Sequence, residues 1–150
     1  MGGFFMKQNY QILNEYMANL KVLENNLYNM HFNIVGSSFF GLHRKLQEYY
    51  EMIGKFYDAT AERIKMLGGY PETSLPKIEE ISTFKSMRSM DFTGQQVLEV
   101  LENDFGFITE YSKDLALEFS KENDLYTSSM LTDQNMYFDK ELWMIRSSLK

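Results

Sequence analysis

What most constrains this chain is how little interrupts it. It has only 2 prolines and 9 glycines in 150 residues, so long unbroken helices are expected. Both prolines, Pro71 and Pro76, fall in one short stretch. Elsewhere apolar residues return every three or four positions, the period of one helix face. Tyr16, Leu20, Leu23, Leu27, His31 and Ile34 form such a stripe and predict a first helix from about Lys7 to Asn33. Gly36, Ser37 and Ser38 make the turn, and either serine can cap the next helix. That second helix carries Phe39, Leu42, Leu46, Tyr49, Ile53, Phe56, Tyr57, Ile64 and Leu67, and Gly68-Gly69 stops it.

In the proline-bearing connection, Lys77 to Thr83 can form a short helix through Ile78 and Ile81. A third long helix is predicted from near Asp91 or Thr93, because Thr93 and Gln96 stand at capping-box spacing. Its stripe is Leu98, Leu101, Phe105, Ile108, Leu115 and Phe119. A fourth begins after Asp124 with Met130, Leu131, Tyr137, Leu142, Ile145 and Leu149. No strand-like alternation of useful length, solenoid repeat or low-complexity stretch occurs. The reading is an all-α chain and a single domain spanning residues 1–150. It is a four-helix bundle with a short extra helix in the long connection between the second and third helices.

Composition narrows the chemistry. At 44% hydrophobic and 15% aromatic, the chain can fill one core and is not disordered. Cysteine is absent, which removes disulfides, thiolate zinc sites and cysteine nucleophiles, and fits a reducing cytoplasm. Any metal must be held by His, Asp, Glu and their neutral relatives. No run of about 18 apolar residues exists to span a membrane. Met1-Gly2-Gly3-Phe4-Phe5-Met6 lacks the basic region of a signal peptide. A cytoplasmic protein with no membrane partner is expected. The net charge is −6, with Lys7 alone among the first nine residues and Arg146 and Lys150 alone among the last five. Proteins that grip DNA non-specifically carry a basic patch or tail, so DNA is not expected as a partner.

The sequence has 2 histidines, His31 and His43. A lone histidine on an apolar stripe is more often a core residue satisfied by a backbone carbonyl. Their joint placement changes that: His31 stands about five residues before the turn and His43 about six after it. An antiparallel hairpin then sets both imidazoles at similar depth, where they can share one cation. On the second helix Asp58 and Glu62 are four residues apart and share a face. Taken alone they read as a solvated acidic pair, bonded to Arg63 or Lys65. Asp58 lies 15 residues beyond His43, about 22 Å along a helix and far more than the roughly 2 Å of a metal–ligand bond. One chain cannot bring these four groups to one ion. Two chains can, if their second helices run antiparallel across a two-fold axis near Met52, since an isologous contact makes every site twice. Gly54, close to that axis, either lets two backbones approach or is neutral drift.

His31-Phe32-Asn33-Ile34-Val35-Gly36, Phe39-Phe40, Leu42-His43, Asp58 and Ala61-Glu62-Arg63-Ile64 together resemble the signature of the Dps mini-ferritins. Leu67-Gly68-Gly69 before Pro71, and Trp143-Met144-Ile145-Arg146, extend the likeness over the whole chain. The resemblance implies a ferritin-like bundle assembled as a hollow dodecamer, with ferroxidase sites at its two-fold interfaces. Carried over by position, His31 and His43 of one subunit and Asp58 and Glu62 of its mate would ligate iron. The implied activity is oxidation of Fe(II), with hydrogen peroxide as oxidant, and storage of the Fe(III) mineral, which protects against oxidative damage. Zinc accepts the same ligands and can stand in for iron.

Three positions depart from the family pattern. Gln47 replaces an acidic residue, leaving at most a weak second metal position. Phe32 replaces a tryptophan. Ser129 replaces an acidic residue near the three-fold pore, which shifts iron passage to Asp124 or Glu122. No Glu-x-x-His pair of the larger ferritins occurs, since Tyr28 and Phe40 precede the histidines by three. Two other readings stay open: a metal-binding dodecameric shell with little turnover, and a helical scaffold or secreted antigen.

Overall fold

The structure is a computed structural model that describes residues 2–150, with side chains from Asn9 onward. Two compact units divide the chain, one reaching to Ile34 and resuming over Ser38–Asp91, the other made of Val35–Ser37 and Phe92–Lys150.

The first unit is a helical hairpin with a long connection tied to it. Helix α1 runs Gly2–Asn33; its expected start near Lys7 falls among residues whose side chains are not described. The whole predicted stripe is buried, from Tyr16 to Ile34. Gly36, at φ 101, makes the turn, and α2 runs Phe39–Met66. Ser38 takes the N-cap position, but its hydroxyl makes no capping bond. At the far end Gly68, at φ 95, adopts the left-handed conformation. The Gly68 N–H bonds to the Lys65 carbonyl at 2.9 Å and the Gly69 N–H to the Ile64 carbonyl at 2.9 Å. This is the Schellman pattern, which needs a residue free to take positive φ.

The short helix α3 spans Leu75–Ile81, beginning two residues before the expected Lys77. Pro76 sits in its first turn, where no backbone N–H is required. Ile78, Ile81 and Phe84 pack on Ala18 and Val22 of α1. Asparagines of α1 hold the rest of the connection. Asn19 Oδ1 accepts from the Thr83 and Phe84 N–H groups, each at 3.0 Å. Asn26 donates to the Lys85 carbonyl and accepts from the Met87 N–H, both at 2.9 Å. Asn14 does the same at the other end, with the Tyr70 carbonyl and the Glu72 N–H.

The second unit is another helical hairpin. Strand β1, Ile34–Val35, pairs with β2, Phe92–Thr93, each too short for alternation to reveal it. Helix α4, Gly94–Lys121, opens with the expected capping box. Gln96 N–H bonds to Thr93 Oγ1 at 3.2 Å and Thr93 N–H to Gln96 Oε1 at 2.9 Å. Asn123, at φ 63, breaks the chain before α5, Leu125–Ser148. Asp124 caps α5, accepting from the Thr127 N–H at 3.1 Å and its hydroxyl at 2.5 Å. That carboxylate is engaged within the hairpin turn, which weakens the expectation that it serves iron passage. Phe105 and Phe138 meet edge to face, 5.7 Å apart. Burial pushes the Asp104 carboxyl up, against a weaker pull from the Asn103 amide. Among the described residues no helix is long and apolar enough to cross a membrane.

Candidate metal centre

His31 is on the last turn of α1 and His43 on the first turns of α2. Each is tied to the other's backbone. His31 Nδ1 lies 2.6 Å from the His43 carbonyl, and His43 Nδ1 lies 2.7 Å from the His31 carbonyl. A carbonyl oxygen only accepts, so both Nδ1 atoms must carry hydrogen. Nε2 is then the atom of each ring left to a metal, while a backbone bond fixes its orientation. The rings stack at 3.7 Å with 14° between planes. Phe39 stacks on the far face of the pair, 4.8 Å from His43. The core-histidine reading is thus met at Nδ1 of both rings and leaves Nε2 unexplained.

Around His31 the aromatics close in. Tyr50 presents an edge at 5.3 Å and 85°, and Phe32 does so at 5.3 Å. Tyr28 and Tyr50 lie 4.2 Å apart, tilted 32°. Partial burial, then the Glu51 carboxylate and Tyr28, raise the Tyr50 phenol above its usual range. The sequence reading missed both tyrosines. Their signal was spacing: Tyr28 is three before His31 and Tyr50 seven after His43, so each shares a face with its histidine.

Asp58 and Glu62 are exposed on α2, well beyond the imidazoles. Of the candidate cations, Lys65 sits 4.3 Å over the Tyr70 ring and Arg63 reaches the Met66 sulfur at 3.8 Å. Gln47 is exposed, and its amide donates to Glu51 at 2.9 Å. Glu24, Tyr28, Tyr50, Glu51, Lys55 and Asp58 line one open groove between α1 and α2. Among the described residues no three His, Asp or Glu side chains cluster closely enough to hold a metal. Gly54 has a cause inside the chain: a Cβ there would stand 2.7 Å from Glu24 Oε2.

Residues 10–150 match the ferritin family through its ferritin-like domain. The chain belongs to it, as a Dps mini-ferritin. General stress protein 20U of Bacillus subtilis is 31% identical, over 95% of this chain and 98% of that protein. The crystal structure of Dps from Staphylococcus aureus superposes with a TM-score of 0.89 at 30% identity, covering 94% of both chains. A Dps of Vibrio cholerae, described as one of the ferritin-like diiron-carboxylate proteins, gives a TM-score of 0.92 at 27% identity. That match covers 97% of this chain and 91% of the other. The fold is accordingly the ferritin-like one, four long helices with α3 as the short addition between the second and third.

Proposed function

We propose that this Dps mini-ferritin is a ferroxidase and iron-storage subunit of a homo-oligomeric shell. The shell is a dodecamer whose sites form at two-fold interfaces. One subunit supplies His31 and His43, and its mate supplies Asp58 and Glu62. The substrate is Fe(II), the oxidant hydrogen peroxide, and the product a ferric mineral held inside. The protein works in the cytoplasm against oxidative damage, without compacting DNA.

The observation that carries the reading is the reciprocal tether of the two imidazoles. It orients two neutral nitrogen donors before any ion arrives, and imidazole with carboxylate suits iron while leaving coordination positions for peroxide. Two anionic ligands stabilise Fe(III) more than Fe(II), which adds driving force. A half-built centre also accounts for the lack of a third close ligand among the described residues of one chain. The Vibrio relative, a diiron-carboxylate protein by its description, lends the iron assignment support. Zinc fits the same donors and would occupy the centre without turnover.

Ferrous iron given to the anaerobic protein, followed by peroxide, should produce rapid ferric absorbance. His31→Ala and Asp58→Ala should each slow it by about 100-fold or more, at the upper end of what even supporting residues of metal sites cost when lost. Unchanged rates in both variants would sink the site assignment. Slow colour in the wild type would favour a shell that binds metal and does not turn it over.

A further inference from the structure

We propose that Glu24 and Asp58 form a second divalent-cation site in the groove between α1 and α2, floored by Gly54 and apart from the imidazoles. That its natural occupant is Fe(II) in transit rests on the ferroxidase reading above. That a cation binds there does not.

Glu24 stands on α1 seven residues before His31, about 10 Å along the helix from the imidazole pair. It is only 8% exposed, and an ionised carboxylate buried that far is costly unless partners offset its lost hydration. Glu24 has one partner: Oε1 holds the Lys21 ammonium at 3.0 Å. Its other oxygen, Oε2, accepts no hydrogen bond among the described residues, and the side chain lines the groove.

Gly54 is what leaves that oxygen in place. Oε2 lies 2.7 Å from the position a Gly54 Cβ would take, so a bare stretch of α2 backbone forms the floor beneath it. Asp58 is one helical turn further along α2 and lines the same groove. Glu51 lines it too, already taken by the Gln47 amide at 2.9 Å. Lys55 is in the lining as well, and Lys21 stands on the Oε1 side. Three carboxylates against two ammonium groups leave the groove negative.

The donors decide the class of ligand. Carboxylate oxygens suit hard divalent ions, which keep several waters and need only one or two carboxylates from the protein. Such an ion does not require the close third side chain that the described residues lack. Glu24 and Asp58, with water in the remaining positions, can hold Mg(II), Mn(II) or Fe(II) without an imidazole.

The test is Mn(II) binding, followed by electron paramagnetic resonance, to the assembled His31→Ala/His43→Ala protein, from which the imidazole centre is gone. One Mn(II) per subunit should still bind. On that background Glu24→Gln, which keeps the shape and loses the charge, should weaken binding by about 10-fold or more, at least the cost of losing an outer partner of a metal. Gly54→Ala should do the same with every carboxylate retained, because its methyl displaces Oε2. Glu48→Gln, which removes an α2 acid paired with Lys45, should change nothing. No Mn(II) on the double-histidine variant, or binding indifferent to Glu24→Gln or Gly54→Ala, overturns the site. Equal weakening by Glu48→Gln reveals diffuse attraction to acidic surface and overturns it too. Crystals of the double-histidine variant soaked in Mn(II) give a check without further substitution: an anomalous peak against Glu24 Oε2 supports the site, and its absence there refutes it. Failure of the ferroxidase reading shows elsewhere, as slow ferric colour in the wild type with Mn(II) binding intact.

Discussion

Two glycines of α2 and its cap separate what a small residue can be for. A Cβ at Gly69 would lie 2.7 Å from Tyr10 Cγ and within 3.0 Å of both Cδ atoms. That obstacle is the root of an aromatic ring, which cannot bend away. Gly69→Ala should therefore destabilise by about 1–3 kcal/mol, the usual range for overpacking, seen as a lower urea midpoint at unchanged slope. At Gly54 the obstacle is the tip of Glu24, a flexible carboxylate that can pivot. Glu24 is buried but lines an open groove, so its carboxylate can turn toward water at the expense of its 3.0 Å pair with Lys21, while alanine recovers about 1 kcal/mol of helix propensity. Gly54→Ala should be close to neutral, and a larger loss there than at Gly69 would refute the comparison. The sequence marked both glycines but named neither neighbour. It left Gly54 open between an approach of two subunits and neutral drift, because a helical pattern shows which face a residue is on and not what lies opposite.

At the scale of elements, the long connection after α2 is held by side-chain amides of α1 in place of a strand or a long helix. Connections of this length are uncommon without internal structure, and Asn14, Asn19, Asn26 and Asn29 supply the missing backbone partners. Removing one should loosen the segment locally. Asn26→Ala leaves the Lys85 carbonyl and Met87 N–H without their bonds, at a cost of about 1–3 kcal/mol. Amide exchange over residues 83–88 should speed up while α5 stays protected; equal acceleration in both would mean global destabilisation instead. The caps were legible beforehand, since Thr93 with Gln96 and the Gly68-Gly69 stop act within a few residues. The asparagines were not, because a polar residue on a helix reads as solvent-facing until something far along the chain binds it. Where two apolar residues adjoin, the period could not choose between them. Val97 and Phe138 are fully buried, whereas the neighbours assigned to the stripe, Leu98 and Tyr137, are only partly so.

At the scale of the whole molecule, the proposed centre is shared between two copies of the chain. Distance along α2 was enough to separate Asp58 and Glu62 from the imidazoles in advance, because helix rise per residue is fixed. A backbone carbonyl was a foreseeable partner for each imidazole, but not which one, since that depends on the hairpin turn setting each ring against the other's carbonyl. The proposed division of ligands between subunits makes an arithmetic prediction that no single-chain site shares. A subunit lacking both histidines, His31→Ala/His43→Ala, and one lacking both acids, Asp58→Ala/Glu62→Ala, should each be inactive alone. In a mixed isologous dimer one site receives the histidines of the second and the acids of the first, and the other site receives neither. Random co-assembly makes half the dimers mixed, so about one quarter of wild-type ferroxidase activity per subunit should return. Unfolding and refolding the two variants together, then assaying ferric absorbance after peroxide, reads this directly. Recovery near that fraction requires ligands from two chains. A co-assembled shell with no recovered activity would mean the four residues do not meet at one ion.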